Sequence, residues 1–353
     1  MKSKIAIVCN SKNSDLAQYF KCKVESVYKT EEAYIFFKNF EIELKKKSVY
    51  NSSYTNSSFF DKKVPLDFIR SFYLLFIILQ KNVKTIHFTT AHISNLFLSL
   101  LLKPFSIQQI FTIHDLVPHP GKKAILINLY NKLVINFLSD EVIVFSNKEI
   151  NKQSRKDKFV HFPLSGFKQF VDKPKVGENT ILFFGRIEGY KGLLNLLDLI
   201  EKVNQSYLKY NFVIAGKGTI PNIDEFRQYN NVEIINRFIS DEEVTKLFEK
   251  ATFTILPYDS ATQSGVTILS YAYATPVIAY DVGALGEYIK NEKNGFLVDY
   301  KDNDKIVKIL QTTNHDDIKT LSCNIINEFN QKFSVDACKK LYNNFYTKRM
   351  ENL

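Results

Sequence analysis

Short apolar runs rich in β-branched residues alternate with longer stretches of helical length along most of this chain. Residues 5–8 (Ile-Ala-Ile-Val) read as a buried strand, and 66–80 has the length and apolar mass of a helix. A strand over 85–88, a helix over 93–103 and a strand over 109–113 follow, the last ending at His114-Asp115. A helix over 122–138 then leads to a strand at 141–145, after which Ser146 is placed to cap the next helix. Pro163 and Gly166 mark a connection over 161–166. A second series begins beyond it, with strands at 180–184, 212–215, 232–235, 253–256, 276–279 and 295–298 and a helix over 191–205. Such alternation predicts an α/β protein whose parallel sheets are covered by helices, in two halves meeting near 163–178. Two halves facing each other leave a central cleft. Ligands of open parallel sheets bind beyond the carboxyl ends of the strands, so the chemistry is sought in the loops there.

The chain has 353 residues, 45% apolar and 24% charged, enough for two domains of ordinary size. Its net charge of +10 favours anionic partners. The cations are scattered, with Lys45-Lys46-Lys47 the densest run, and neither zinc-finger spacing nor an RNA-recognition signature is present. A nucleic-acid partner is not expected. Cys9, Cys22, Cys323 and Cys338 form no CxxC pair, which suits free thiols in a reducing compartment. The N-terminal apolar stretch is too short for a signal-peptide core, and the greasy run 72–79 is too short to span a bilayer. These features lead to an expectation of a cytoplasmic, soluble or surface-attached protein.

Four loops carry candidate chemistry. In Gly185-Arg186-Ile187-Glu188-Gly189-Tyr190-Lys191-Gly192, a guanidinium and an ammonium five residues apart enter one strand-to-helix corner, a pairing suited to a diphosphate. Gly216 and Gly218 permit close backbone approach or simply a turn. Beyond 253–256, Gln263-Ser264-Gly265-Val266-Thr267 precede a helix whose N-terminal amides suit a phosphate, with Ser264 equally suited to capping it. In the loop after 276–280, Glu287 suits either a helix cap or a sugar hydroxyl. His114, beside Asp115, is placed either to bond a sugar or to be satisfied at its strand end.

The series FFGRIEGYKGL, FVIAGKG, NVEIINRFISDEEVTKLFEKATFTILPY, QSGVTILSYAYATPVIAYDVGALGEYI and NGFLVD, over about 180–300, resembles the family 4 (group 1) retaining glycosyltransferases of the GT-B fold. TIHD at 112–115 and DEVIVFSN at 140–147 match more loosely. The resemblance implies two Rossmann-like domains: an N-terminal acceptor domain over 1–165, joined by a crossover helix within 333–353, and a nucleotide-sugar donor domain over 166–332. It implies that Arg186 and Lys191, with Gly185, Gln263, Ser264, Gly265, Val266 and Thr267, hold the donor diphosphate and sugar. Gly216, Gly218, Arg237, Phe238 and Glu287 would lie near the nucleoside, and His114 with Asp115 would face the sugar from the acceptor side.

The family's Glu-x7-Glu pair falls here on Ala261 and Leu269, so the chain resembles a QSGV variant seen in bacterial polysaccharide glycosyltransferases. Asp259, Gln263 or Glu287 are the candidate substitutes. The implied reaction is retaining transfer from a UDP- or GDP-sugar to a glycan or lipid-linked acceptor in capsule or O-antigen synthesis. It needs no cofactor and no obligatory metal, because cations stabilise the leaving diphosphate. The apolar helices at 66–80 and 93–103 suit peripheral contact with the inner face of the cytoplasmic membrane, or simply cover a sheet. The competing readings are a nucleotide-sugar-binding subunit without activity, and an epimerase or phosphorylase on the same two-domain plan.

Overall fold

The computed structural model describes residues 4–9, 23, 25, 33–37, 49–51, 64–117, 124–175 and 177–351. Cys22, Lys45-Lys46-Lys47 and His119 lie outside them. The chain divides into two compact units, one formed by Met1–Gly166 with Val335–Leu353 and the other by Phe167–Ser334.

The first unit contains strands β1 (Lys4–Cys9), β2 (Ala33–Phe37), β3 (Val49–Asn51), β4 (Val83–Phe88), β5 (Gln108–Thr112), β6 (Glu141–Val144) and β7 (Phe159–His161). Its helices are α1 (Val64–Gln80), α2 (Ile93–Leu102), α3 (Ala124–Leu133) and α4 (Asn147–Ile150). The strands pair in parallel in the order β3-β2-β1-β4-β5-β6-β7. β1 and β4 are adjacent and lie centrally, and the unbroken apolar runs of such strands reflect burial on both faces. Ala6 and Val8 of β1, Ile86 of β4 and Val142 of β6 point to one face, where Ile77 and Ile78 of α1 and Leu98 and Leu102 of α2 cover them. The helix expected over 122–138 widens at Val134, where its hydrogen bonds reach five residues back instead of four. A π turn, Val134–Leu138, follows α3, and Ser139 donates both its amide and its hydroxyl to the Val134 carbonyl. The wider turn keeps Val134, Ile135 and Leu138 all inward.

The second unit contains β8 (Thr180–Phe184), β9 (Asn211–Ala215), β10 (Val232–Ile235), β11 (Ala251–Leu256), β12 (Val277–Tyr280) and β13 (Gly295–Val298). Its helices are α5 (Leu193–Gln205), α6 (Ile223–Arg227), α7 (Asp241–Lys250), α8 (Gly265–Ala272), α9 (Leu285–Tyr288), α10 (Asn303–Thr312) and α11 (His315–Lys332). All pairings are parallel, in the order β10-β9-β8-β11-β12-β13. α5 buries Leu196, Leu199, Ile200 and Val203 along one stripe, each worth about 1.5–3 kcal/mol of transfer free energy. α7 starts with a capping box in which Ser240 and Glu243 satisfy each other's backbone amides.

α12 (Val335–Glu351) belongs to the first unit. It lays Cys338, Tyr342, Phe345 and Tyr346 on the sheet face formed by Ile5, Ile7, Ile110 and Ile143. The Arg349 guanidinium stacks on Phe345 and donates two hydrogen bonds to Glu141 Oε2 at the start of β6.

Candidate active site

In the second unit the strand order reverses between β8 and β11, so the loops after these two strands flank the switch point where such sheets bind ligands. The loops are tied together by backbone contacts. Gly192 has φ +68°, and a Cβ there would meet the Pro257 carbonyl oxygen at 1.8 Å. Asn195 Nδ2 donates to Pro257 O (3.1 Å) and Asp259 Oδ1 (3.0 Å), and the Asp259 amide donates to Tyr190 O (2.8 Å). Tyr300 adds a hydroxyl bond to Asp259 Oδ1 at 2.7 Å. Asp259, considered above as a replacement for a family Glu, is thus engaged in joining loops.

Lys191 lies inside this corner. It ends a 3-10 turn, Gly189–Lys191, and Gly192 precedes the first residue of α5, so the expected helix start at 191 moves to Leu193. Its side chain is buried, with only 6% of the residue exposed. The ammonium sits 5.5 Å from the centroid of the Tyr258 ring. It also lies 2.9 Å from where a Cβ on Gly185 would be, a position itself 3.4 Å from Val266 Cγ2 of α8. Gly185, Lys191, Tyr258 and the first turn of α8 therefore surround one space. The Lys191 amide donates to Glu188 O (3.0 Å), but its ammonium makes no hydrogen bond or ion pair among the described residues. Burial lowers its pKa to about 8; Glu188 opposes that shift and Arg186 adds to it. The Arg186 side chain is 81% exposed and pairs with Glu188 at 3.4 Å. The pair of cations identified in the sequence thus comprises one buried charge without a counter-ion and one solvated charge loosely held beside it.

At the start of α8 the Ser264 hydroxyl accepts from the Thr267 amide, a helix cap. That amide also donates to Ser264 O, and the Thr267 hydroxyl is buried without a partner among the described residues. In this cap the Ser264 hydroxyl serves as an acceptor, and both Ser264 and Thr267 are buried. The amides of Gly265 and Val266 have no such bonds among the described residues, and the space where a Gly265 side chain would sit is open. Gln263 is half-buried just before the cap. Ala261 takes the position of the first missing Glu; its carbonyl accepts from the Ala284 amide and lies 1.4 Å from a Cβ built on Gly283. Leu269 packs into the apolar cluster of Phe248 and Tyr273.

Gly216 and Gly218 serve the loop after β8. Cβ atoms there would meet the Gly185 carbonyl oxygen at 1.8 Å and the Ile187 carbonyl oxygen at 2.0 Å. The two loops are zipped by the Gly185 amide to Ala215 O and the Ile187 amide to Lys217 O. Arg237 forms a two-pronged pair with Glu243 (2.9 and 2.5 Å), which lowers the Glu243 pKa to about 2. Phe238, by contrast, is 79% exposed. Glu287 is half-buried in the first turn of α9.

His114 belongs to the first unit, just beyond β5. Its Nε2 lies 3.2 Å from the Thr89 carbonyl oxygen, which can only accept, so Nε2 carries the proton. Burial holds its pKa at about 3, with Lys23 adding to the fall, so the ring is neutral. The carbonyl of neighbouring Asp115 accepts from Asn131 Nδ2 at 2.9 Å. His87, assigned no site role from sequence, joins the Tyr346 hydroxyl to the Thr112 hydroxyl in the core. His92 caps α2, and His315 is exposed. Among the described residues no three His, Cys, Asp or Glu side chains gather as a metal site requires.

The fold class is α/β of the GT-B type, with two Rossmann-like units each built on a parallel sheet. Residues 178–316 match the family model described as Glycosyl transferases group 1. The chain is 34% identical over 166 residues to an uncharacterized glycosyltransferase of Methanocaldococcus jannaschii, an alignment spanning 45% of this chain and 45% of that relative. It is 25% identical over 255 residues to the O-antigen chain mannosyltransferase C of Escherichia coli, covering 65% of this chain and 67% of that protein. Among solved structures, sucrose-phosphate synthase from Thermosynechococcus elongatus superposes with TM-score 0.75 at 15% identity over 100% of both chains. Anabaena HepE in complex with UDP and glucose does so with TM-score 0.68 at 14% identity, over 98% of this chain and 99% of that one.

Proposed function

We propose that this chain is a retaining glycosyltransferase. It moves a sugar from a nucleotide diphosphate sugar to a glycan or lipid-linked oligosaccharide during synthesis of a bacterial surface polysaccharide. The observation that carries this reading is the buried Lys191 ammonium without a counter-ion, at the switch point of a nucleotide-binding type of sheet. A buried cation is costly unless an anion joins it, and a donor diphosphate supplies that anion. The names of the Escherichia coli mannosyltransferase and of the UDP-bound Anabaena structure support the substrate class.

In this reading the diphosphate lies against Lys191 and the amides of Gly265 and Val266, with Arg186 turning from Glu188 onto its outer oxygens. The base, of UDP or GDP, stacks on the exposed Phe238 ring. As the bond from the anomeric carbon to the diphosphate oxygen breaks, negative charge grows on the leaving group, and these cations and amides stabilise it without a metal. The acceptor hydroxyl forms the new bond on the same face and gives its proton to the departing diphosphate.

Lys191→Ala and Arg186→Ala are each expected to lower kcat/KM by about 10²–10³-fold with the fold retained. Unchanged turnover in both would remove the assignment. Ala261 and Leu269, in place of carboxylates, favour a second reading as a binding subunit. Tight nucleotide-sugar binding without transfer or hydrolysis, for every sugar nucleotide and acceptor tried, would support that reading instead.

A further inference from the structure

Helices on a protein surface normally turn charged and polar residues outward, as α7 does with Asp241, Glu242, Lys246, Glu249 and Lys250. The helical layer of the first unit does not. Across α1, α2, α3 and the π turn, the only charged residues are Asp67, Arg70 and Lys132. α1 seats Leu74, Ile77 and Ile78 on the sheet and turns Ile69, Phe72, Tyr73 and Phe76 to solvent, Phe76 being 61% exposed. α3 and the π turn carry Ile125, Leu129, Leu133 and Phe137, four residues apart along one outer side, with Ile125 80% and Phe137 69% exposed. α2 bridges the two, since Phe97 packs edge-on against Phe68 and Phe72 and α2 also packs against the π turn. The result is one broad apolar face rather than scattered single side chains.

A cationic rim borders this face. Each helix runs back toward the edge where the strands begin, and Lys81, Lys84, Lys103, Arg155, Lys156 and Lys158 gather there. Lys158 Nζ donates to Ile135 O (3.2 Å) and Ser139 O (2.6 Å), and Arg155 Nη1 donates to Asn136 O (3.3 Å). These bonds fix two cations beside Phe137. Among the described residues the acids at the rim are Asp140, which accepts from the Gln109 amide, Glu141, which is paired with Arg349, and Asp157.

We infer that this face of the first unit docks on an anionic lipid bilayer, with the side chains of α1, α3 and the π turn entering the headgroup boundary and the rim lysines meeting lipid phosphates. Apolar side chains bordered by Lys and Arg form the pattern of a surface-lying membrane contact, whereas protein interfaces are depleted of Lys. No helix is long and apolar enough to cross a membrane among the described residues, so the contact lies on the surface. The inference does not rest on the transferase reading.

Co-sedimentation of the full chain with phosphatidylcholine vesicles, with and without phosphatidylglycerol, tests it. Binding is expected with phosphatidylglycerol at low salt, falling as salt screens the rim. Leu129→Glu with Phe137→Glu is expected to weaken it at least about tenfold. Lys103→Glu with Arg155→Glu, changes at exposed positions that leave the core intact, is expected to abolish the preference for phosphatidylglycerol. Failure of the wild-type chain to bind either vesicle at low salt overturns the proposal, as does binding indifferent to both double substitutions. So does a wild-type dimer in sedimentation that the Leu129→Glu, Phe137→Glu chain loses, because a second copy would then cover the face.

Discussion

Lys191 shapes both stability and chemistry through one property, a charge buried without a partner. Its pKa of about 8 in the folded chain lies below the ordinary 10.5, so folding disfavours its proton. The penalty is complete below pH 8 and is relieved as pH rises from 8 toward 10.5. Lys191→Met is accordingly expected to stabilise the ligand-free protein below pH 8 by about 3 kcal/mol, while catalysis falls. Thermal unfolding at pH 7 and at pH 10 checks the sign: the gain from Lys191→Met should shrink at the higher pH. His114 has the opposite character. With a pKa of about 3 it stays neutral throughout the working range, so no break in a pH–rate profile between 5 and 8 is expected from it. The spacing of Arg186 and Lys191 was legible in the sequence, but their unequal burial was not. That difference depends on Tyr258, which arrives from another strand, and on Glu188, which draws the guanidinium outward.

The loops of the second unit are held by glycines at close backbone crossings, and their substitutions separate structure from binding. Gly216→Ala and Gly283→Ala set a methyl against a carbonyl oxygen at positive φ and are expected to cost at least about 2 kcal/mol each in urea unfolding. Gly265→Ala meets open space at the first residue of α8 and is expected to leave stability nearly unchanged while weakening nucleotide binding. A simple turn or a ligand cradle were equal readings of Gly216-Lys217-Gly218 in the sequence, because the loop that crosses it, Gly185–Ile187, is about thirty residues away. Element types were readable where the apolar period was clean: strands at 180–184 and 295–298 fall on β8 and β13. β7 was missed because three residues show no alternation, and β2 because its apolar, aromatic run Ala33–Phe37 lies in a polar surround. The break of the helix over 122–138 into a π turn has no signature in its sequence, which carries neither Gly nor Pro at the break.

Each unit is stabilised as a whole by its two-sided sheet, and α12 completes the first of them. Tyr342→Ala removes a ring that is fully buried against Phe162 and is expected to cost about 3–5 kcal/mol, read as a shift in the denaturation midpoint. The alternation of strands and helices made the two-sheet architecture legible, whereas the return of the last helix to the first unit was legible only through family resemblance. Activity depends on a nucleoside diphosphate filling the place of the counter-ion that Lys191 lacks. Calorimetric titration of UDP and of GDP into the whole protein at pH 8.5, in two buffers of different ionisation enthalpy, tests this most directly. Lys191 is there only partly charged, so binding should draw a proton from the buffer, and Lys191→Met should bind more weakly and draw none. Binding by neither nucleotide, or binding without proton uptake that Lys191→Met leaves unchanged, would contradict it.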